Sequence, residues 1–75
     1  MAVDKINLSN ELNNYGNVIM CEENNSESFI IVMDNIITDI TTLKNIIEPH
    51  ILNDFQNLKD IRMSDGKLKC LYIKN

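Results

Sequence analysis

Apolar positions along this chain follow two rhythms. Between Thr38 and Leu58, Ile40, Leu43, Ile46, Ile47, Ile51, Phe55 and Leu58 recur at steps of three and four, the spacing that lines side chains along one helix face. On either side the apolar residues come in short strand-like blocks separated by polar turns. The pattern predicts a small single α+β domain in the order α-β-β-α-β-β, with an antiparallel sheet packed on one long, Pro-kinked helix. Its parts are an N-terminal arm or short helix over 1–16, a hairpin over 17–34, the helix over 38–58 and a second hairpin over 59–74.

In the first part, Ser9 is placed to cap a short helix from Asn10 to Tyr15, and Gly16 to end it in a left-handed conformation. The first hairpin joins Asn17–Glu23 to Ser28–Asp34 through the polar turn Asn24-Asn25-Ser26-Glu27. Pairing Glu23 with Ser28 sets Met20 opposite Ile31, Cys21 opposite Ile30 and Val18 opposite Met33. One face then carries Val18, Met20, Phe29, Ile31 and Met33, and the other Ile19, Cys21, Ile30 and Val32. Both faces are apolar, whereas a half-exposed hairpin alternates apolar with polar. The long helix covers one face only. The other, with Ile19, Cys21, Ile30 and Val32, is expected to meet the N-terminal helix, a second copy of the chain or another protein.

Asp39 or Thr38 is expected to cap the long helix, and Pro49 interrupts it by removing a backbone donor and crowding the preceding turn. The apolar stripe also changes phase there. Ile51, Phe55 and Leu58 point roughly 65° away from the stripe of Ile40, Leu43, Ile46 and Ile47 on a helical wheel. Two nearly collinear halves are the expected outcome. The last segment is clearer: Asp65-Gly66 is the pair favoured in a type I′ turn. Closing the hairpin on it pairs Met63 with Leu68, Arg62 with Lys69 and Ile61 with Cys70. Ile61, Met63, Leu68, Cys70 and Tyr72 then share one face, and Arg62, Lys67, Lys69 and Ser64 the other.

Charge is unevenly placed. Residues 1–58 hold nine acids and two bases, and residues 59–75 two acids and five bases, within a net charge of −4. Such a division speaks to partners rather than fold. Glu22, Glu23, Glu27 and Asp34 gather on the first hairpin as a candidate surface for a partner with a basic face. Arg62, Lys67 and Lys69 form a basic patch for phosphate or an acidic protein, at the cost of opposing Arg62 and Lys69 across the sheet. Four Tyr and Phe in all and the acidic balance argue against nucleic acid as the partner.

Candidate chemistry is sparse. His50 and Asp54 lie four apart, within reach of each other on a helix, but no nucleophile, second histidine or glycine loop accompanies them. Cys21 and Cys70 form no CxxC and no metal-ligand spacing, which reads as buried thiols; a bridge needs them on adjacent strands. Phosphate loops, metalloprotease and EF-hand spacings and the nucleophile elbow are missing. The expectation is a non-enzymatic chain with no cofactor and no metal site. With no apolar run near the ~20 residues a bilayer needs and an acid at Asp4, the chain is expected to be soluble and cytoplasmic, away from membranes.

In style the chain is short, acidic, rich in Asn and Ile and free of motifs, and it resembles the small inhibitors that phages and mobile elements encode. No motif carries that likeness. It implies a small acidic protein-binding module that inhibits or regulates a host enzyme acting on nucleic acid. The other expectations are a self-associating structural domain and a weak nucleic-acid binder through the basic hairpin.

Overall fold

Four antiparallel strands in the order β1-β2-β4-β3 form one sheet, with two helices on one of its faces. The computed structural model describes residues 3–74. In chain order the elements are α1 (Lys5–Leu12), β1 (Asn17–Asn24), β2 (Ser28–Asp34), α2 (Ile40–Ile51), β3 (Asn57–Ser64) and β4 (Lys67–Ile73). The protein is thus a small α+β domain. β2 and β3 both pair antiparallel with β4, so they run the same way, and α2 is the crossover between them. Among the described residues, no helix is long and apolar enough to cross a membrane.

The second hairpin has the expected register, Ser64 with Lys67, Met63 with Leu68, Arg62 with Lys69 and Ile61 with Cys70. Asp65 and Gly66 both take positive φ, 53° and 74°, as a type I′ turn requires. Alternation in β4 sends Leu68, Cys70 and Tyr72 into the core. Phe29, Ile31 and Met33 of the neighbouring β2 do the same. These six side chains meet Leu8 and Leu12 of α1, and Leu43, Ile47 and Ile51 of α2. The helix residues recur every four positions, so each helix turns one stripe to the sheet.

The first hairpin departs from expectation. Asn24 pairs with Ser28, Glu23 with Phe29, Cys21 with Ile31 and Met20 with Val32, one step away from the expected register. A bulge between Val18 and Met20 absorbs the difference and restores Val18 to Met33. Asn25 and Ser26, at φ 55° and 58°, make a turn closed by Glu27 N–H to the Asn24 carbonyl at 3.1 Å. That shorter loop moves the register. Cys21 therefore belongs to the helix-covered side and Met20 to the other, which exchanges their expected places.

Both helices also differ from their expected bounds. α1 starts four residues after Met1, because the Asp4 carboxylate, rather than Ser9, accepts the Asn7 N–H at 3.0 Å. Ser9 lies inside the helix, with its hydroxyl near the Cys21 thiol. Gly16 does not take the left-handed conformation expected of it; a Cβ there would stand 3.0 Å from the Asp34 carbonyl oxygen and 3.2 Å from Ile36 Cα. Close approach of the two chains is its reason.

α2 spans twelve residues, not Thr38–Leu58. Asp39 caps it, its carboxylate accepting the Thr42 N–H at 2.8 Å. This bond is what holds the Asp39 carboxyl below the usual carboxylate range. Pro49 stands in the last turn, where it has no hydrogen to give the Asn45 carbonyl. The helix ends two residues later. Phe55 N–H still reaches the Ile51 carbonyl at 2.8 Å, which explains why Phe55 keeps the helical interval in the sequence. Its ring packs on Phe29, centroids 5.7 Å apart, while Leu58 is already in β3.

Candidate functional site: the open face of the sheet

Both helices lie on one side of the sheet, and the alternate side chains of every strand therefore point away from them. Three rows cross this outer face: Met20–Val32–Lys69–Arg62, Glu22–Ile30–Leu71–Asp60 and Asn24–Ser28–Ile73–Asn57. Its centre is an apolar strip of Ile30, Val32, Leu71 and Ile73, each half-buried by its neighbours alone. Met20 and Ile19 extend the strip to the β1 edge, and Ile19 is 57% exposed. Nothing among the described residues covers it.

The bulge shapes this edge. Ile19, the extra residue, turns toward the outer face beside Met20, and with Val32, Asp34, Lys67, Lys69 and Arg62 it lines a hollow of about 450 Å³. A second hollow, about 620 Å³, lies at the opposite end between Glu27, Ser28, Lys59, Leu71 and Ile73. A matching irregularity in β3 at Lys59 means that both edge strands are bulged, a feature that impedes edge-to-edge pairing.

The anticipated site residues divide between the two faces. Of the apolar set, Ile19, Ile30 and Val32 share the outer face, and Cys21 does not. Met20 takes its place, and Leu71 and Ile73 join. The last two were legible in the alternation of β4, Lys67-Leu68-Lys69-Cys70-Leu71-Tyr72-Ile73; Met20 was not, because no glycine or proline marks the bulge.

Of the acids, Glu22 is on the outer face, Glu23 pairs with Phe29 on the helix side and Glu27 is in the turn. Asp34 is at the far end of β2, where its carboxylate accepts a hydrogen bond from Asn17 Nδ2 at 3.1 Å. The four do not converge on one patch. Arg62, Lys67 and Lys69 do share one corner, and Arg62 Nε lies 3.3 Å from Asp60 Oδ2.

His50 does not turn to Asp54. Its Nε2 meets Glu11 Oε2 at 2.9 Å, tying α2 to α1. Cys21 and Cys70 flank Ile31 on successive strands. Two strand spacings, about 9.6 Å, separate them, beyond the ~7 Å that a disulfide spans. Burial pushes the Cys70 thiol up to about 12, with the Cys21 thiol adding to the effect. Burial also raises Cys21, against the opposing influence of the nearby Ser9 hydroxyl. Both thiols are thus kept protonated and poorly nucleophilic. Among the described residues, no three His, Cys, Asp or Glu side chains are grouped to hold a metal ion.

No family model matches the chain, and comparison with curated proteins and with solved structures finds no match either.

Proposed function

We propose that this protein is a non-catalytic protein-binding module whose docking surface is the open face of the sheet. The observation that carries the reading is the apolar strip Ile30, Val32, Leu71 and Ile73 with Ile19 and Met20 at its edge, left uncovered because both helices occupy the other side. An apolar patch rimmed by charges is the usual form of a protein interface. Protein is favoured over nucleic acid by where the aromatic rings lie. Phe29, Phe55 and Tyr72 are buried and Tyr15 packs against the same core, so none is on the outer face to stack a base.

A narrower reading is a regulator or inhibitor of a nucleic-acid-handling enzyme. It draws on the first hairpin, which bears Glu22, Glu23, Glu27 and Asp34 and no base. Since these acids are spread over both faces and both ends, such a contact uses the β1 edge and its turn rather than one patch. Action inside a cell, without cofactor or catalysis, belongs to the same proposal.

The test is affinity capture with the tagged chain from cells that carry it, comparing wild type with Val32→Lys plus Leu71→Lys. Capture that is lost in the double variant, with far-UV circular dichroism unchanged, is the expected result. Capture of the same protein by both chains refutes the open face as the docking surface. Loss of capture in Glu22→Lys plus Glu27→Lys alone favours the narrower reading.

A further inference from the structure

We propose that the occupant of the open face is a second copy of this chain, packed sheet on sheet so that the first hairpin of each copy lies over the second hairpin of the other. The inference rests on the open-face reading and names its partner.

Charge carries the argument. On the outer face of the β1–β2 half the charged side chains are carboxylates, Glu22 and Asp34, with Glu27 in the adjoining turn. On the β4–β3 half, Lys59, Arg62, Lys67 and Lys69 outnumber Asp60 and Asp65. The apolar strip runs between, on the two central strands. A two-fold axis in the plane of the face and roughly along the strands exchanges the halves. The acidic half then overlies the basic half twice, Ile30 overlies Leu71 in the middle, and the same patch serves both copies, as an isologous dimer requires. The strands stay aligned within about 30°, the ordinary angle for sheets packed face to face.

Two further features fit this arrangement. Arg62 and Lys69 are opposed across β3 and β4, a like-charge pair that is mildly destabilising within one chain. The acidic half of the opposite copy lies over this corner, with Glu22 one row from Arg62 and Lys69, and offsets that cost. The size is also adequate: the molecule measures 30 × 22 × 19 Å, and a face with its two longer dimensions buries on the order of 600 Å² per copy, the lower end for a specific pair. At a net charge of −4 per copy, long-range repulsion opposes any pairing, so the short-range charge pattern decides which one forms. Acid over base selects this one.

Sedimentation equilibrium from about 10 μM to about 1 mM tests the proposal, with circular dichroism as the check on folding. Wild type is expected to dimerise, and Val32→Lys plus Leu71→Lys to remain a folded monomer. Glu22→Lys plus Glu27→Lys, and separately Arg62→Glu plus Lys69→Glu, should each weaken pairing at least tenfold. An equimolar mixture of the two charge variants should pair again, because each altered hairpin now faces its complement. A wild-type monomer throughout the range, a dimer indifferent to Val32→Lys plus Leu71→Lys, or a mixture no tighter than its components overturns the proposal. If wild type is monomeric yet captures another protein through Val32 and Leu71, self-pairing alone fails. If capture ignores those two residues, the open-face reading fails with it.

Discussion

Tyr72 donates its hydroxyl hydrogen to Glu48 Oε2 at 3.0 Å, fastening the inner strand β4 to α2. Tyr72 is almost wholly buried at 1% exposure, so its hydroxyl needs a partner inside the fold. Glu48 is partly exposed and also lies 3.9 Å from Lys44 Nζ, one helical turn earlier. The carboxylate thus remains hydrated while the phenol is dry. Burial first, then the Glu48 hydrogen bond, raises the Tyr72 pKa well above that of a free tyrosine.

Tyr72→Phe is expected to lower stability by about 1 kcal/mol, the net worth of one hydrogen bond to a group that water can still reach. The ring itself stays packed, and Glu48 turns to solvent and Lys44. Urea denaturation of the two chains measures the difference. A loss above about 3 kcal/mol would mean that the bond also fixes the docking of α2.

Alkaline pH should unfold the protein from a defined starting point. An unperturbed cysteine titrates at 9.0, and Cys70 in the fold at about 12. Below 9 both states are protonated and the stability is fully present. Above it the unfolded chain loses a proton that the native state keeps, so stability falls as pH rises from about 9 to about 12. Tyr72 acts in the same direction from its unfolded value of 10.0 upward. Cys70→Ala, which costs about 1 kcal/mol at neutral pH by leaving a small cavity, should make this decline shallower, leaving Cys21 to act from 9.0 and Tyr72 from 10.0. Denaturation midpoints at pH 7, 9.5 and 11 read both effects.

How far the fold was readable depended on what set the register at each place. In the second hairpin Asp65-Gly66 is a local signal strong enough to specify every pair from Ser64–Lys67 to Ile61–Cys70, and the structure has them all. In the first, register is decided by a three-residue turn at Asn25 and Ser26 and by a bulge at Ile19, neither marked by glycine. Cys21 and Met20 consequently exchanged faces. The α2 stripe misled for a different reason: Phe55 completes a helical hydrogen bond after the helix has ended, so spacing alone could not separate it from Ile51. The open face was anticipated as an apolar surface of the first hairpin. Its extension onto β4 through Leu71 and Ile73 needed the strand order, which places β4 beside β2.

The two glycines should respond differently to substitution, because they are needed for different reasons. Gly16→Ala places a methyl 3.0 Å from the Asp34 carbonyl oxygen, a backbone atom that cannot swing aside. A loss of about 1–3 kcal/mol is expected, as for overpacking. Gly66→Ala makes only ordinary van der Waals contact, with Ile36 N nearest at 3.6 Å, but must hold φ at 74°, costing about 1–2 kcal/mol. Asparagine separates the causes. Gly66→Asn should recover part of the loss because Asn tolerates the left-handed region, whereas Gly16→Asn should be worse than Gly16→Ala. Thermal melts of the four variants decide it.

The bulge offers the sharpest test of the register. Val18 pairs with Met33 and Met20 with Val32, successive partners on β2, so Ile19 is the one residue of β1 with no place in the ladder. Deleting Ile19 should leave a regular strand with Val18 and Cys21 still toward the helices and Met20 still outward. The fold should survive with stability changed by about 1 kcal/mol or less, since an unpaired residue and its kink are removed together. Deleting Ile30 from β2 should do the opposite. β2 pairs on both sides without a bulge of its own, and the loss of one residue sends either Phe29 or the pair Ile31 and Met33 to the outer face. Those side chains are fully buried, and exposing even one costs several kcal/mol, enough to unfold a domain of this size. Circular dichroism melts of the two deletions, with Cys21 accessibility to a thiol reagent as the readout of its face, test the pairing directly. An unfolded Ile19 deletion or a cooperatively folded Ile30 deletion contradicts the register described for β1 and β2.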